Sequence, residues 1–375
     1  MKNILSCTVI LILIAMLGAC FDSKQAPDIS HAVTFKHKGS KTGKDEQNTL
    51  FETASNAEHQ YQQTFYMDVV SVYCGEDICK VDPVRLHWNA IGFYSHFSLK
   101  NGVELEKSFG DDFTEHDYKK LNLILKNKNS ALASLHKEEL VREIPSGNAI
   151  DALSGATVTI LKDDYVDGAI WTCFTLWHFA NGEVSNIIRN ITGDAMTVKT
   201  LNLLLKSNDF NKQQFAIEQL QRKKVFDETS VNNILNLVAN PLTFNPKKAK
   251  ASIYPTIINF VNTLPNKQYF KTINQLISIH QPDLSVRALL SLTASSKPAP
   301  NYYYEALSNE LPNMKSYQEI DLFLTLVNTE LVNNELNNKF KTKIKSKIAQ
   351  SAPIYSKALL TNISELLSHQ RFSIA

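Results

Sequence analysis

Asp151-Ala152-Leu153-Ser154-Gly155-Ala156-Thr157-Val158-Thr159 divides the chain between a charged, partly stranded first half and a second half whose pattern is almost wholly helical. The stretch is an acidic residue, a small-residue turn that presents a hydroxyl, and a β-branched run. Gly155 lets the backbone bend where a side chain would clash, and Ala156 leaves the Thr157 hydroxyl open to a large partner. Two readings stand for it: a surface turn between two elements, or an attachment site.

Upstream, Phe65-Tyr66-Met67-Asp68-Val69-Val70-Ser71-Val72-Tyr73 is β-branched and aromatic and reads as a strand. Val84, Leu86 and Trp88 alternate with Arg85, His87 and Asn89 in a second, half-buried strand; Ala90-Ile91-Gly92 interrupts it before Phe93 to Leu99 continue extended. The Asn101-Gly102 turn predicts a third short strand over Val103 to Phe109. Thr114, with Asp117 three residues on, caps a helix that buries Leu121, Ile124 and Leu125 and ends near Asn127. Residues 64–182 are therefore expected to form an α+β domain with a small antiparallel sheet.

Downstream, Asp164 or Asp167 is placed to cap a helix through Ala169-Ile170-Trp171-Thr172-Cys173-Phe174-Thr175-Leu176-Trp177-His178-Phe179, which stops at Asn181-Gly182. It is apolar on nearly every side, so burial between this domain and the next is expected. Trp171 and Trp177 can be plain core or the walls of a flat cofactor. Cys173 and His178 read as buried structural residues, because no carboxylate or nucleophile stands beside them in sequence. From about Thr197 on, helical-period segments alternate with prolines, and Pro255 falls awkwardly within one of them. The expected all-α region, 183–375, is either an α-solenoid of stacked helix pairs or an irregular bundle; Pro282-Asp283-Leu284-Ser285-Val286-Arg287-Ala288-Leu289-Leu290 resembles a HEAT-type second helix. Alternate lysines from Lys339 to Lys347 read as a solvated face.

At the other end, Lys2 followed by the apolar Ile4 to Met16 and by Leu17-Gly18-Ala19-Cys20 looks like a lipoprotein signal peptide over 1–19 that closes on a bacterial lipobox. The resemblance implies cleavage before Cys20, acylation of its sulfur and its new amino group with diacylglycerol and a fatty acid such as palmitate, and, with Phe at 21, an outer-membrane address on the periplasmic face or the cell surface. The polar stretch 20–63 reads as a flexible tether. Such an envelope compartment permits a disulfide between Cys74 and Cys79. With 39 basic against 37 acidic residues and a net charge of +2, nucleic acid is not expected as a partner.

No nucleophile elbow, phosphate-cradling glycine loop or metal-ligating pattern is present in the sequence, so no catalytic residue and no metal is assigned. That leaves binding, scaffolding or a borrowed cofactor. Asp151, Ser154, Gly155, Ala156 and Thr157 resemble the flavinylation motif of FMN-binding-domain proteins, the group that includes the covalent-flavin subunits of Na⁺-translocating NADH:quinone reductase and Rnf-type complexes. The resemblance implies that a periplasmic flavin transferase, using FAD and Mg²⁺, joins FMN by a phosphoester to Thr157 and reads Asp151, Ser154, Gly155 and Ala156. It is sharp over 151–157; Val158-Thr159-Ile160-Leu161 and an acidic loop come next, where a regular helix is usual. The expected function is an electron carrier between envelope redox partners, a relay rather than a turnover enzyme. The alternative is a flavin-free lipoprotein scaffold whose helical region binds another envelope protein.

Overall fold

The computed structural model describes residues 28–40, 44–53, 63–73, 80–136, 162–239, 247–300, 303–314 and 316–333, with the single positions 140, 342 and 346. The signal peptide, Cys20, Cys74 and Cys79, the motif 151–157 and all five lysines from Lys339 to Lys347 lie outside the described residues. The chain divides into two compact units, 1–192 and 193–375.

Among the described residues the first unit is built on five antiparallel strands in chain order: β1 (Ile29–Phe35), β2 (Glu46–Glu52), β3 (Thr64–Val70), β4 (Pro83–Asn89) and β5 (Tyr94–Leu99). Period-two alternation assigns the faces: Val33, Phe35, Leu50, Phe65, Met67, Val69, Val84, Leu86 and Trp88 point inward and are buried. Tyr66, Asp68, Arg85 and His87 alternate with them on the other face, where Arg85 grips Asp68 through Nε at 2.7 Å and Nη2 at 2.9 Å.

Two strands thus lie where the polar composition of 20–63 suggests a tether. β1 and β2 pair over seven residues each, from Ile29 opposite Glu52 to Phe35 opposite Glu46. A strand with one wet face needs an apolar residue only at every second position, so Val33, Phe35 and Leu50 suffice without any apolar pairs. The third strand expected over Val103 to Phe109 does not form. That stretch holds a single bridge, Glu106 to Asp112, and a 3₁₀ turn at Ser108–Gly110; Leu105 is its buried anchor.

Helix α1 (Glu115–Lys126) begins at the Thr114 capping box, with the Thr114 hydroxyl accepting from the Asp117 N–H and the Asp117 carboxylate accepting from the Thr114 N–H, and it is capped at Asn127. Helix α2 (Ile170–Asn181) comes after a 3₁₀ turn at Lys162–Asp164. Neither aspartate caps it: the N-cap is Ala169, and the chain turns into the helix at Gly168, whose carbonyl accepts from Ser108 N and Oγ, while Asp164 accepts from Ser130 Oγ. α2 is the core of the first unit. Phe179 meets Phe35 edge-on, and the Trp88 indole donates to the Ala180 carbonyl at 2.8 Å from the sheet side. On the α1 side, Trp177 Nε1 and Asn181 Nδ2 donate to the Asn127 and Leu125 carbonyls, each at 2.9 Å, satisfying acceptors that a helix end leaves over.

Helix α3 (Glu183–Ala195) puts Val184 and Ile188 into the same core. It approaches the β4–β5 turn so closely that a Cβ on Gly92, at φ +75°, would stand 2.4 Å from the Ser185 carbonyl oxygen. The compact first unit therefore runs ten residues past the Gly182 stop that the sequence suggests as its end.

The second unit is helical: α4 (Val198–Leu205), α5 (Phe210–Arg222), α6 (Glu228–Ala239), α7 (Lys247–Thr263), α8 (Asn266–Ile277), α9 (Pro282–Ala294), α10 (Tyr303–Ser308) and α11 (Tyr317–Asn333). Helices α5, α7, α9 and α11 each pack on the next in that row, and α4 packs on α6. Pro255 lies inside α7 beyond its first turn, with an exposed side chain, so the helix runs through the residue that suggests a break and forgoes one backbone hydrogen bond there. Among the described residues no helix is long and apolar enough to cross a membrane.

Candidate functional site

His136, the buried Leu140 and the residues from Lys162 on are described, and Thr157 lies outside the described residues. Ser130 Oγ donates to Asp164 at 3.2 Å, which ties the 3₁₀ turn Ala131–Ala133 to the one at Lys162–Asp164. An open groove of about 570 Å³ begins there. Asp163 and Asp164 form one wall and α1 the other, with His116, Lys119, Lys120 and Leu123 along it and Asn127 at its end. Leu123 is 66% exposed on a helix whose neighbouring Ile124 and Leu125 are buried. Lys120 Nζ lies 5.9 Å from the centroid of the Tyr165 ring, and Lys119 pairs with Glu115 at 2.6 Å.

Of the sequence-predicted site residues, Trp171 and Trp177 are described. Trp177 is buried, and its N–H on Asn127 fixes the end of the groove from behind; Trp171 is half-buried against the core. Cys173 is buried with its sulfur accepting from Val166 N–H at 3.3 Å.

Behind α2 lies a cluster that the sequence does not announce. Gly39 N–H donates to His37 Nδ1 at 2.9 Å, so the proton is on Nε2, which donates to the Thr175 carbonyl at 2.9 Å. The Thr175 hydroxyl accepts from Tyr73 N–H at 3.1 Å, and the Tyr73 phenol donates to Glu46. The His37 ring packs against Tyr73, Phe179 and, edge-on at 6.0 Å, His178. Burial pushes the His37 imidazole down to about 4, against the opposing pull of the Thr175 carbonyl. Burial, reinforced by His37 and Lys38, takes His178 down to about 3. The Tyr73 phenol is raised by burial and by Glu46.

The neutral His37 imidazole and the protonated Tyr73 phenol, each with its hydrogen committed, give α2 a fixed position against the sheet; among the described residues no nucleophile is aligned with either histidine ring. Among the described residues His178 Nε2 has no hydrogen-bond partner, a cost accepted inside a ring cluster made with Phe174 and Trp177. The sequence signal for His37 was available: Val33, Phe35 and His37 share one face at period two. Among the described residues no group of three or more His, Cys, Asp or Glu side chains could hold a metal ion. Compared with protein-family models, curated proteins and solved structures, the chain matches none.

Proposed function

We propose that this chain is an outer-membrane lipoprotein, anchored through acylated Cys20, that carries FMN on Thr157 and relays electrons between envelope redox partners. The observation that carries the reading is the match of Asp151, Ser154, Gly155, Ala156 and Thr157 to every specified position of the flavinylation motif. The lipobox ending at Cys20 supports it independently, because it directs the chain to the compartment where such a transferase works.

In the attachment, the Thr157 oxygen bonds to the FMN phosphorus of FAD, the pyrophosphate P–O bond breaks, AMP leaves, and the hydroxyl proton passes to a base. An unactivated threonine hydroxyl is a poor nucleophile, so the activation belongs to the transferase and its Mg²⁺. When bound, the isoalloxazine supplies the redox chemistry; this chain's residues hold, shield and tune it. We read the row α5, α7, α9, α11 beside α4 and α6 as one layer of an α-solenoid of HEAT-like pairs, a surface on which a partner protein would dock. The same surface would serve a flavin-free scaffold, and covalent labelling separates the two.

The test is full-length protein from a host with an active flavin transferase, denatured and run on a gel. Flavin fluorescence that survives denaturation and vanishes in Thr157→Val, with the fold unchanged, is expected. An unlabelled wild-type Thr157 peptide from that host sinks the reading and leaves the scaffold.

A further inference from the structure

We propose that the outer edge of β1 is a self-association surface, on which a second copy of this chain pairs antiparallel, strand to strand, about a twofold axis at Ala32. This surface is independent of Thr157 and of any flavin. Among the described strands the sheet has two edges, β1 and β5, and they are built differently. Helix α1 packs against β5, and the β4–β5 ladder shifts register between His87 and Trp88. A covering helix and a bulge are two of the devices by which proteins blunt a strand edge. β1 has neither. Among the described residues β2 is the one element with which it makes extensive contact, and its register with β2 is unbroken. Its sequence, Ile29–Phe35, holds no Lys, Arg, Asp, Glu or Pro.

Alternation fixes which backbone groups face outward. Thr53 N–H donates to the Thr64 carbonyl at 2.9 Å, so odd residues of β2 turn their backbone groups toward β3 and even ones toward β1. The residues opposite those even positions are Ile29, His31, Val33 and Phe35. Ser30, Ala32 and Thr34 are left with N–H and C=O directed away from the sheet, and no backbone partner meets them among the described residues. Lys36, the next in that series, shows the direction: its N–H leaves the sheet and donates to Glu183 Oε2 at 2.8 Å. That bond also closes the edge, so its open part runs from Ser30 to Thr34.

What selects a second copy as the occupant is the stretch Asp28-Ile29-Ser30-His31-Ala32-Val33-Thr34-Phe35-Lys36, which is complementary to itself. With the twofold at Ala32, that residue meets its own counterpart, Ser30 meets Thr34 of the second copy, and Asp28 meets Lys36, the last two on both sides of the axis. The Ala32 pair and the Ser30–Thr34 pairs are the ones that exchange backbone hydrogen bonds, and their small side chains cause no crowding. Both ends set an acid opposite a base, the favourable arrangement across a strand pair. Asp28, Ser30, Ala32, Thr34 and Lys36 are all exposed, and no ion pair is made by Lys36 among the described residues. Asp28 takes the Tyr66 hydroxyl on Oδ2 at 2.7 Å and keeps Oδ1 for the lysine. On the opposite face Ile29, 52% exposed, comes beside Phe35 of the second copy, which takes apolar surface out of water.

The test uses the full chain in mild detergent, with light scattering reading protein mass against concentration and hydrogen exchange reading the β1 peptide. The expected result is a concentration-dependent dimer, weak because one strand edge is a small interface, and slower exchange in β1 as the dimer forms. Ala32→Pro removes an outward N–H and leaves the ladder to β2 intact. The twofold doubles that loss, so the dimer should weaken by roughly tenfold or more. Lys36→Asp sets acid opposite acid and should weaken it several-fold, whereas Asp28→Lys combined with Lys36→Asp restores opposite charges and should recover it. Lys100→Asp, just past the other edge strand, should leave the dimer unchanged.

Should Ala32→Pro fail to fold, the charge exchange at exposed positions still decides. A chain that stays a monomer up to roughly 1 mM overturns the proposal; slow exchange in β1 of such a monomer would mean that another part of the same chain pairs with the edge. A dimer that Lys36→Asp and Ala32→Pro leave unchanged overturns it equally, because its contact then lies elsewhere on the molecule.

Discussion

His37 donates from Nε2 to the Thr175 carbonyl at 2.9 Å, tying a residue just past β1 to the middle of the buried helix α2. That bond together with the one Nδ1 accepts from Gly39 N–H requires a neutral ring. Protonation of Nδ1 would lose that acceptor and place a charge against Phe179 and His178.

The first prediction comes from that geometry. His37 is held down to about 4 and His178 to about 3, both chiefly by burial, so on acidification the unfolded chain takes up these protons before the folded one does. Their contribution to stability is present above the unfolded value of about 6.5 and is lost as the pH falls from there toward 4. At about 1.4 kcal/mol per pKa unit, His37 accounts for a loss on the order of 3 kcal/mol. Urea unfolding followed by tryptophan fluorescence reports the first unit alone, since Trp88, Trp171 and Trp177 all lie within it. The midpoint should fall markedly between pH 7 and pH 4.5, and His37→Gln should make the dependence shallower, leaving the part due to His178 and to His87, which burial also holds down to about 4.

The strands β1 and β2 give a second test. Leu50 is fully buried, and Leu50→Ala should cost about 2–5 kcal/mol by leaving a cavity under the sheet. A flexible tether would show no change in the urea midpoint.

Gly92 gives a third. Its φ of +75° and the 2.4 Å approach of a Cβ to the Ser185 oxygen act together. Gly92→Ala should lose at least roughly 1–2 kcal/mol from backbone conformation alone, with the steric clash adding to it. Thermal unfolding should show a lowered midpoint, whereas Gly102→Ala, which has a similar φ but no atom near its Cβ, should lose only the conformational part.

Trp177 separates core from cofactor wall. Trp177→Phe removes one of the two donors to the Asn127 carbonyl, which also accepts from Ser130 N–H at 3.3 Å, and the lost hydrogen bond should cost about 0.5–1.5 kcal/mol in urea unfolding whether or not flavin is attached. A stability equal to wild type, with a changed flavin spectrum alone, would show that the indole contacts the ring and contributes nothing to the fold.

Much of the first unit can be read without coordinates. The alternation in Val84, Leu86 and Trp88, the capping box at Thr114 and the stop of α2 at Asn181 all follow from local chemistry, because each depends on residues within a turn or a strand of one another. Reading fails where the deciding partner is distant. β1 looks like tether until β2 supplies its seven pairing residues, and Val103 to Phe109 looks like a strand until the 3₁₀ turn at Ser108–Gly110 interrupts it. The entry to α2 is set by Ser108 on the Gly168 carbonyl, sixty residues away, and not by the nearer aspartates. The groove is invisible for the same reason: Lys120 and Leu123 on α1 meet Asp163 and Asp164 only after folding.

The sequence by itself determined an antiparallel sheet, a buried aromatic helix and a helical second half, since these rest on periodicity, capping and residue type. Tertiary structure alone decided that the sheet has five strands, that α2 is the core of the first unit, and that His37 is a neutral donor to Thr175. Burial is what makes the difference. An apolar face is worth its area only against another face, and a polar group inside must find its partner wherever the fold has placed one.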